Sequence, residues 1–197
     1  MVRAGAWPGW APTQMIGGEL KGKTLGLIGF GRIAQATAAR AHHGFGMRIA
    51  YSAPRRQPAD VEAAVSAIHL PSVEALLEQA DFVSLHCPGG PATHHLIDAA
   101  GLARMKRTAI LINTARGTVI DEAALAEALA AGTIAAAGLD VYEAEPKVHP
   151  ALLDLENVVL LPHLGSATTE TRIAMGMRVA ANLEAFFAGS APPDRVA

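Results

Sequence analysis

One cysteine, Cys87, is the only thiol in 197 residues, so an intrachain disulfide framework is excluded and a reducing, cytoplasmic setting is the expectation. Charge is sparse as well: 17% of residues are charged and the net charge is −2. No basic stripe interleaved with aromatics exists, which removes the electrostatic footprint of a nucleic-acid binder. Charges, glycines or prolines break every apolar run before it reaches the roughly 20 residues that a bilayer span requires. The opening Met1–Pro8 lacks the apolar core of a secretory signal. With nucleic acid and membrane set aside, the expected partner is a small molecule.

What is present is apolar bulk. Hydrophobic residues make up 51% of the chain, enough for one well-buried domain. Residues 1–22 carry Trp, Pro and Gly without period and read as an irregular lead-in or packing arm; 189–197 read as a tail. Between them, over 23–188, short apolar runs alternate with longer amphipathic ones. That pattern predicts an α/β fold of the Rossmann type, a doubly wound and mainly parallel sheet with helices on both faces. Strands are expected at Thr24–Ile28, Met47–Tyr51, Phe82–Leu85, Ala109–Ile112, Ala136–Leu139 and Val158–Leu161. Helices are expected at Arg32–His43, Val73–Gln79, Asp98–Ala103, Glu122–Ala131 and Thr168–Phe187, with a Pro- and Arg-rich loop over Ala53–Ala59.

The first strand runs directly into Gly29-Phe30-Gly31-Arg32-Ile33-Ala34, a dinucleotide fingerprint with alanine at its third small position. Gly29 permits the turn, Gly31 lets backbone approach a pyrophosphate, and Ala34 lets helix and strand close. The helix N-terminus adds unpaired N–H groups and partial positive charge. About 20 residues further on, an NAD-selective site presents an acid to the adenosine ribose. Here no carboxylate stands between Glu19 and Asp60, and the second strand leads into Ser52-Ala53-Pro54-Arg55-Arg56. Guanidinium groups suit a 2′-phosphate, so NADP(H) is the expected preference with NAD(H) the second choice; two solvated loop arginines are the plain alternative.

Later strands end in chemistry. Asn113-Thr114-Ala115-Arg116-Gly117, Asp140-Val141-Tyr142-Glu143-Ala144-Glu145-Pro146 and Pro162-His163-Leu164-Gly165 set an arginine, carboxylates and a histidine at strand ends, the edge where open α/β sheets bind ligands. Singly, Arg116 reads equally as a surface ion-pair member, His163 as a structural histidine and Glu145 as a loop carboxylate. Together they argue for one site. The pairs His42-His43 and His94-His95 share no helical face, so no metal is expected.

These segments, in this order, resemble the D-isomer-specific 2-hydroxyacid dehydrogenases. Trp7-Pro8-Gly9-Trp10, Leu85-His86-Cys87-Pro88 with Thr93, and the terminal Arg195-Val196-Ala197 are similar to the glyoxylate/hydroxypyruvate reductase branch. The resemblance implies reduction of a small 2-keto acid by hydride transfer. Arg116 would clamp the substrate carboxylate, His163 would donate the proton and Glu145 would orient His163. Asp140 would meet the nicotinamide carboxamide. Taken with the fingerprint and the loop after the second strand, it sets the expected cofactor groove at Gly29, Phe30, Gly31, Arg32, Ile33, Ser52, Arg55, Arg56, Cys87, Pro88, Thr93, Thr114, Ala115, Arg116, Asp140, His163 and Gly165. The resemblance further implies a homodimer through this domain, and a missing N-terminal substrate domain that would leave little turnover. A non-catalytic dinucleotide-binding or dimerisation module is the alternative. Phosphoglycerate dehydrogenase fits less well for want of a regulatory domain, and formate dehydrogenase would carry glutamine where Glu145 stands.

Overall fold

The computed structural model describes residues 1–195; the last two residues of the terminal Arg195-Val196-Ala197 motif lie outside it. Seven strands form one parallel sheet: β1 (Thr24–Ile28), β2 (Arg48–Ser52), β3 (Ile68–His69), β4 (Phe82–Leu85), β5 (Ile110–Asn113), β6 (Ala136–Leu139) and β7 (Val158–Leu160), in spatial order β3-β2-β1-β4-β5-β6-β7. Every neighbouring pair is parallel, so all the C-terminal ends share one edge. The order reverses between β1 and β4, the place where such sheets open a ligand crevice.

The helices are α1 (Arg32–Ala39), α2 (Ala59–Ala63), α3 (Val73–Gln79), α4 (Ala99–Arg104), α5 (Glu122–Ala130), α6 (Pro150–Leu153) and α7 (Thr169–Phe187). Side-chain caps start four of them, with Ser72, Asp98, Asp121 and Thr168 each accepting from a backbone N–H three residues on. Two apolar layers sandwich the sheet: Leu27, Ala34, Ala38, Ile49 and Tyr51 on one side, Ile28, Leu76, Leu77, Leu111 and Leu125 on the other. Small residues set the spacing. A Cβ on Gly26 would stand 2.6 Å from Leu76 Cδ2, so glycine lets α3 close on β1.

Element by element, β1, β4, β6 and α3 fall where the pattern puts them, and β2 and β5 begin one residue later. The edge strand β3 is two residues long, too short for any periodicity. The expected Arg32–His43 helix stops at Ala39 and continues as a π turn over Arg40–Gly44. The strand expected to reach Leu161 ends at Leu160, just ahead of Pro162, which lacks an N–H. None of the 19 residues of α7 is buried, although its apolar residues repeat at helical spacing.

Candidate active site

The glycine turn is shaped as its sequence requires. Gly29 has φ +88°, its N–H donates to Ser52 O at 2.8 Å, and a Cβ there would lie 2.8 Å from His86 O. Gly31 caps α1, and a Cβ on it would meet nothing within 4 Å, so the backbone faces open space. Ala34 is fully buried behind it. Arg32 and Ile33, both exposed, begin the helix. Phe30 is turned the other way: it is buried and stacks on Tyr51 at 4.2 Å between centroids, so only its backbone can meet a cofactor.

A cleft of about 680 Å³ opens beside this turn, lined by Ile33, Leu85, His86, Cys87, Pro88, Thr114, Ala115 and Arg116 among others. The open Gly31 backbone and a cleft of this size fit a dinucleotide. Burial pushes the Cys87 thiol up and holds the His86 imidazole below its usual range, so both stay neutral in the cleft wall at neutral pH. Thr93 donates from Oγ1 to Pro88 O at 2.6 Å, shaping the loop rather than pointing outward. Arg116 is carried by a braced turn: buried Asn113 donates to Arg116 O at 3.0 Å and accepts from Ala115 N at 3.0 Å. The signal that could have found Asn113 is a polar residue closing an apolar strand.

At the far end of the edge, His163 Nδ1 lies 3.0 Å from Glu145 Oε2. Glu145 also accepts from Tyr142 N at 3.1 Å. The hydrogen bond with His163 and the one from the Tyr142 N–H, with the nearby Arg116 guanidinium, hold the Glu145 carboxyl below its usual range. Glu145 is therefore an anion at neutral pH, and its contact is with His163 Nδ1, so it does not occupy Nε2. His163 sits at φ +54°, a left-handed conformation that costs a non-glycine residue roughly 1–3 kcal/mol and is retained where geometry demands it. Buried Asp140 supplies part of that demand, accepting from Leu164 N at 2.6 Å and Gly165 N at 2.8 Å. Tyr142 supplies more by donating to Leu161 O at 2.8 Å. Asp140 and Gly165 thus meet each other, with Asp140 fastening the His163 loop. A second, apolar hollow of about 340 Å³, lined by Tyr142, Glu145, Leu160, Leu161 and His163 among others, backs this pair.

Of the residues after β2, Ser52 is buried and Arg55 is exposed. Arg56 is held by an acid, Glu62 Oε2, at 2.8 Å. Glu62 escapes the sequence reasoning because it follows Asp60, beyond the stretch in which an acid is sought. Elsewhere His94, His95 and Glu143 bring ligand-type atoms within 4.8 Å of one another, with His95 Nε2 hydrogen-bonded to Glu143 Oε1.

Fold and edge together define a class, the nucleotide-binding domain of a dehydrogenase. The chain belongs to the D-isomer specific 2-hydroxyacid dehydrogenases, whose NAD binding domain it matches over residues 1–165. It is 50% identical over 199 residues to the glyoxylate reductase of Thermococcus litoralis, covering 99% of this chain and 59% of that protein. A protein of Thermus thermophilus superposes with a TM-score of 0.91 at 45% identity, covering 100% of this chain and 60% of that one. The NADPH-dependent glyoxylate/hydroxypyruvate reductase of Sinorhizobium meliloti, solved with NADP and malonate, superposes with a TM-score of 0.81 at 40% identity, covering 94% and 55%. The chain therefore spans less than two thirds of the length of these relatives. Among the described residues, no helix is long and apolar enough to cross a membrane.

Proposed function

We propose that this chain supplies the cofactor-binding and proton-donating machinery of a reductase for glyoxylate or hydroxypyruvate, acting in the cytoplasm with NADP(H) preferred over NAD(H). The observation that carries this reading is the His163–Glu145 pair set on the same sheet edge as Arg116 and the open Gly31 backbone. A bound nicotinamide would supply the hydride. Gly29, Gly31, Arg32 and Ile33 would hold the diphosphate against the start of α1, with Cys87, Pro88, Thr114 and Ala115 along the groove. The Arg116 guanidinium would pair with the keto acid's carboxylate through two parallel hydrogen bonds and draw charge toward the carbonyl oxygen. His163 Nε2 would deliver a proton to that oxygen, while Glu145 keeps the ring turned correctly and stabilises its cationic form. Asp140 would act chiefly by fixing the His163 loop, because both its oxygens already accept backbone N–H groups.

The test is oxidation of NADPH by the 197-residue chain with glyoxylate and with hydroxypyruvate, beside a His163→Ala variant. Turnover that falls about 100- to 10,000-fold in the variant, the usual worth of a positioned acid, supports the reading. Equal rates in both overturn it. A tenfold tighter affinity for NADH than for NADPH would remove the cofactor preference alone.

A homodimer is the assembly proposed for this domain. Its support is α7, which leaves Ile173, Met177, Val179, Leu183, Phe186 and Phe187 each at least 51% exposed.

A further inference from the structure

The turn that follows β2 holds an arrangement that the NADP(H) reading does not by itself anticipate. Glu62 on α2 is only 7% exposed, and its carboxylate is fully engaged. Oε1 accepts from Tyr51 Oη at 2.6 Å and from Arg56 Nε at 2.9 Å, and Oε2 accepts from Arg56 Nη2 at 2.8 Å. Tyr51, itself fully buried, takes a further hydrogen bond from Gln57 N at 2.8 Å and stacks on Phe30 of the glycine turn. The ribose turn and the diphosphate turn are therefore braced against each other through one aromatic pair.

We infer that Glu62 is the positioning residue that sets cofactor choice: it holds Arg56 in a neutral pair and leaves Arg55 as the cation offered to a 2′-phosphate. This rests on the dinucleotide-reductase reading above. A carboxylate near the ribose ordinarily favours NAD(H) by accepting from the 2′-hydroxyl. Glu62 is withdrawn from that role, because its in-plane acceptor positions are spent on Tyr51 and Arg56 and its side chain is covered. Arg56 stays exposed and keeps its Nη1 donors, but Nε and Nη2 both face Glu62, so its charge is offset by that of Glu62 and the pair carries no net charge. Arg55 is exposed and has no ion pair among the described residues. The turn thus presents one uncompensated positive charge, which favours a phosphate over a hydroxyl.

The decisive measurement is the ratio of NADH to NADPH dissociation constants, obtained by titrating the 197-residue chain and its variants with each dinucleotide and following nicotinamide fluorescence. Arg55→Ala is expected to lower the ratio by about ten- to a hundredfold, through NADPH alone, the worth of a charge-assisted hydrogen bond. Glu62→Gln, which retains an acceptor for Tyr51 and frees the charge of Arg56, is expected to raise it severalfold. Arg56→Ala, at an exposed position, leaves the Glu62 charge unneutralised and is expected to lower it. A purely structural part for Glu62 would weaken both dinucleotides alike and leave the ratio unmoved. The inference is overturned by an unchanged ratio in Arg55→Ala, or by a ratio that fails to rise in Glu62→Gln. If Glu62→Gln does not fold, an unchanged or raised ratio in Arg56→Ala overturns it instead. A wild-type ratio that favours NADH removes the NADP(H) preference, whereas the direction in which the variants move the ratio tests Glu62 in either case.

Discussion

At Glu145 a single carboxylate joins two segments of the chain, accepting from Tyr142 N while facing His163 Nδ1. Replacing it with glutamine keeps the shape and removes the charge. In the proposed reductase, Glu145→Gln should lower turnover by about ten- to a hundredfold, the worth of one charge-assisted hydrogen bond, with little change in NADPH affinity. Loss of NADPH binding in equal measure would instead assign Glu145 to the cofactor groove. Glu62 gives a prediction about acid stability. Hydrogen bonds from Arg56 and Tyr51 lower its pKa from 4.5 to about 2. A carboxyl whose folded pKa is depressed stabilises the fold above its unfolded pKa, and that contribution is lost as pH falls through the window from about 4.5 to about 2. Urea midpoints measured at pH 5 and pH 3 should therefore fall more in the wild type than in Glu62→Gln; equal falls would show that the pair contributes nothing to acid stability.

Between elements, the closest packing lies where the loop after β5 meets the loop after β6. A Cβ on Gly117 would stand 1.8 Å from the carbonyl carbon of Tyr142 and 2.3 Å from Glu143 N. Those are backbone atoms that cannot swing aside. Gly117→Ala should then destabilise the chain by about 1–3 kcal/mol or more and shift the neighbouring Arg116, so that in the proposed reductase the substrate KM rises along with a lower melting temperature. A variant with unaltered melting temperature would show that the two loops are separable. The same packing sets Arg116 and the His163–Glu145 pair, which the proposed reductase would use together, at a fixed spacing although they come from different strands: the loops that carry them meet through backbone atoms of Gly117, Tyr142 and Glu143.

For the whole molecule the unusual element is α7, 19 residues long with no buried side chain. A helix with an apolar stripe is stable in water only if that stripe is covered. If a second copy covers it, sedimentation at high protein concentration should show dimers, and Ile173→Asp together with Phe187→Asp should return the chain to monomer without loss of the sheet's circular dichroism. Monomer alone in the wild type would remove the homodimer and leave the stripe to some other surface.

Local chemistry made much of this protein legible from sequence. Doubly covered parallel strands are short apolar runs, and β1, β4 and β6 could be bounded to the residue; the glycine fingerprint could be read because its spacing is imposed by one turn. His163, Glu145 and Arg116 were legible as site candidates because each follows a strand, and strand ends share an edge once the sheet is parallel. Only the tertiary structure decided what those residues touch. The pairing of Arg56 with Glu62 joins a loop to a helix across a buried tyrosine, the inward turn of Phe30 depends on Tyr51, and Asp140 reaches 24 and 25 residues along the chain to Leu164 and Gly165. Periodicity and propensity act over a few residues, whereas hydrogen bonds and packing between separate elements depend on how those elements dock, so a sequence can nominate an acid or an arginine but the fold determines whether it is free to act.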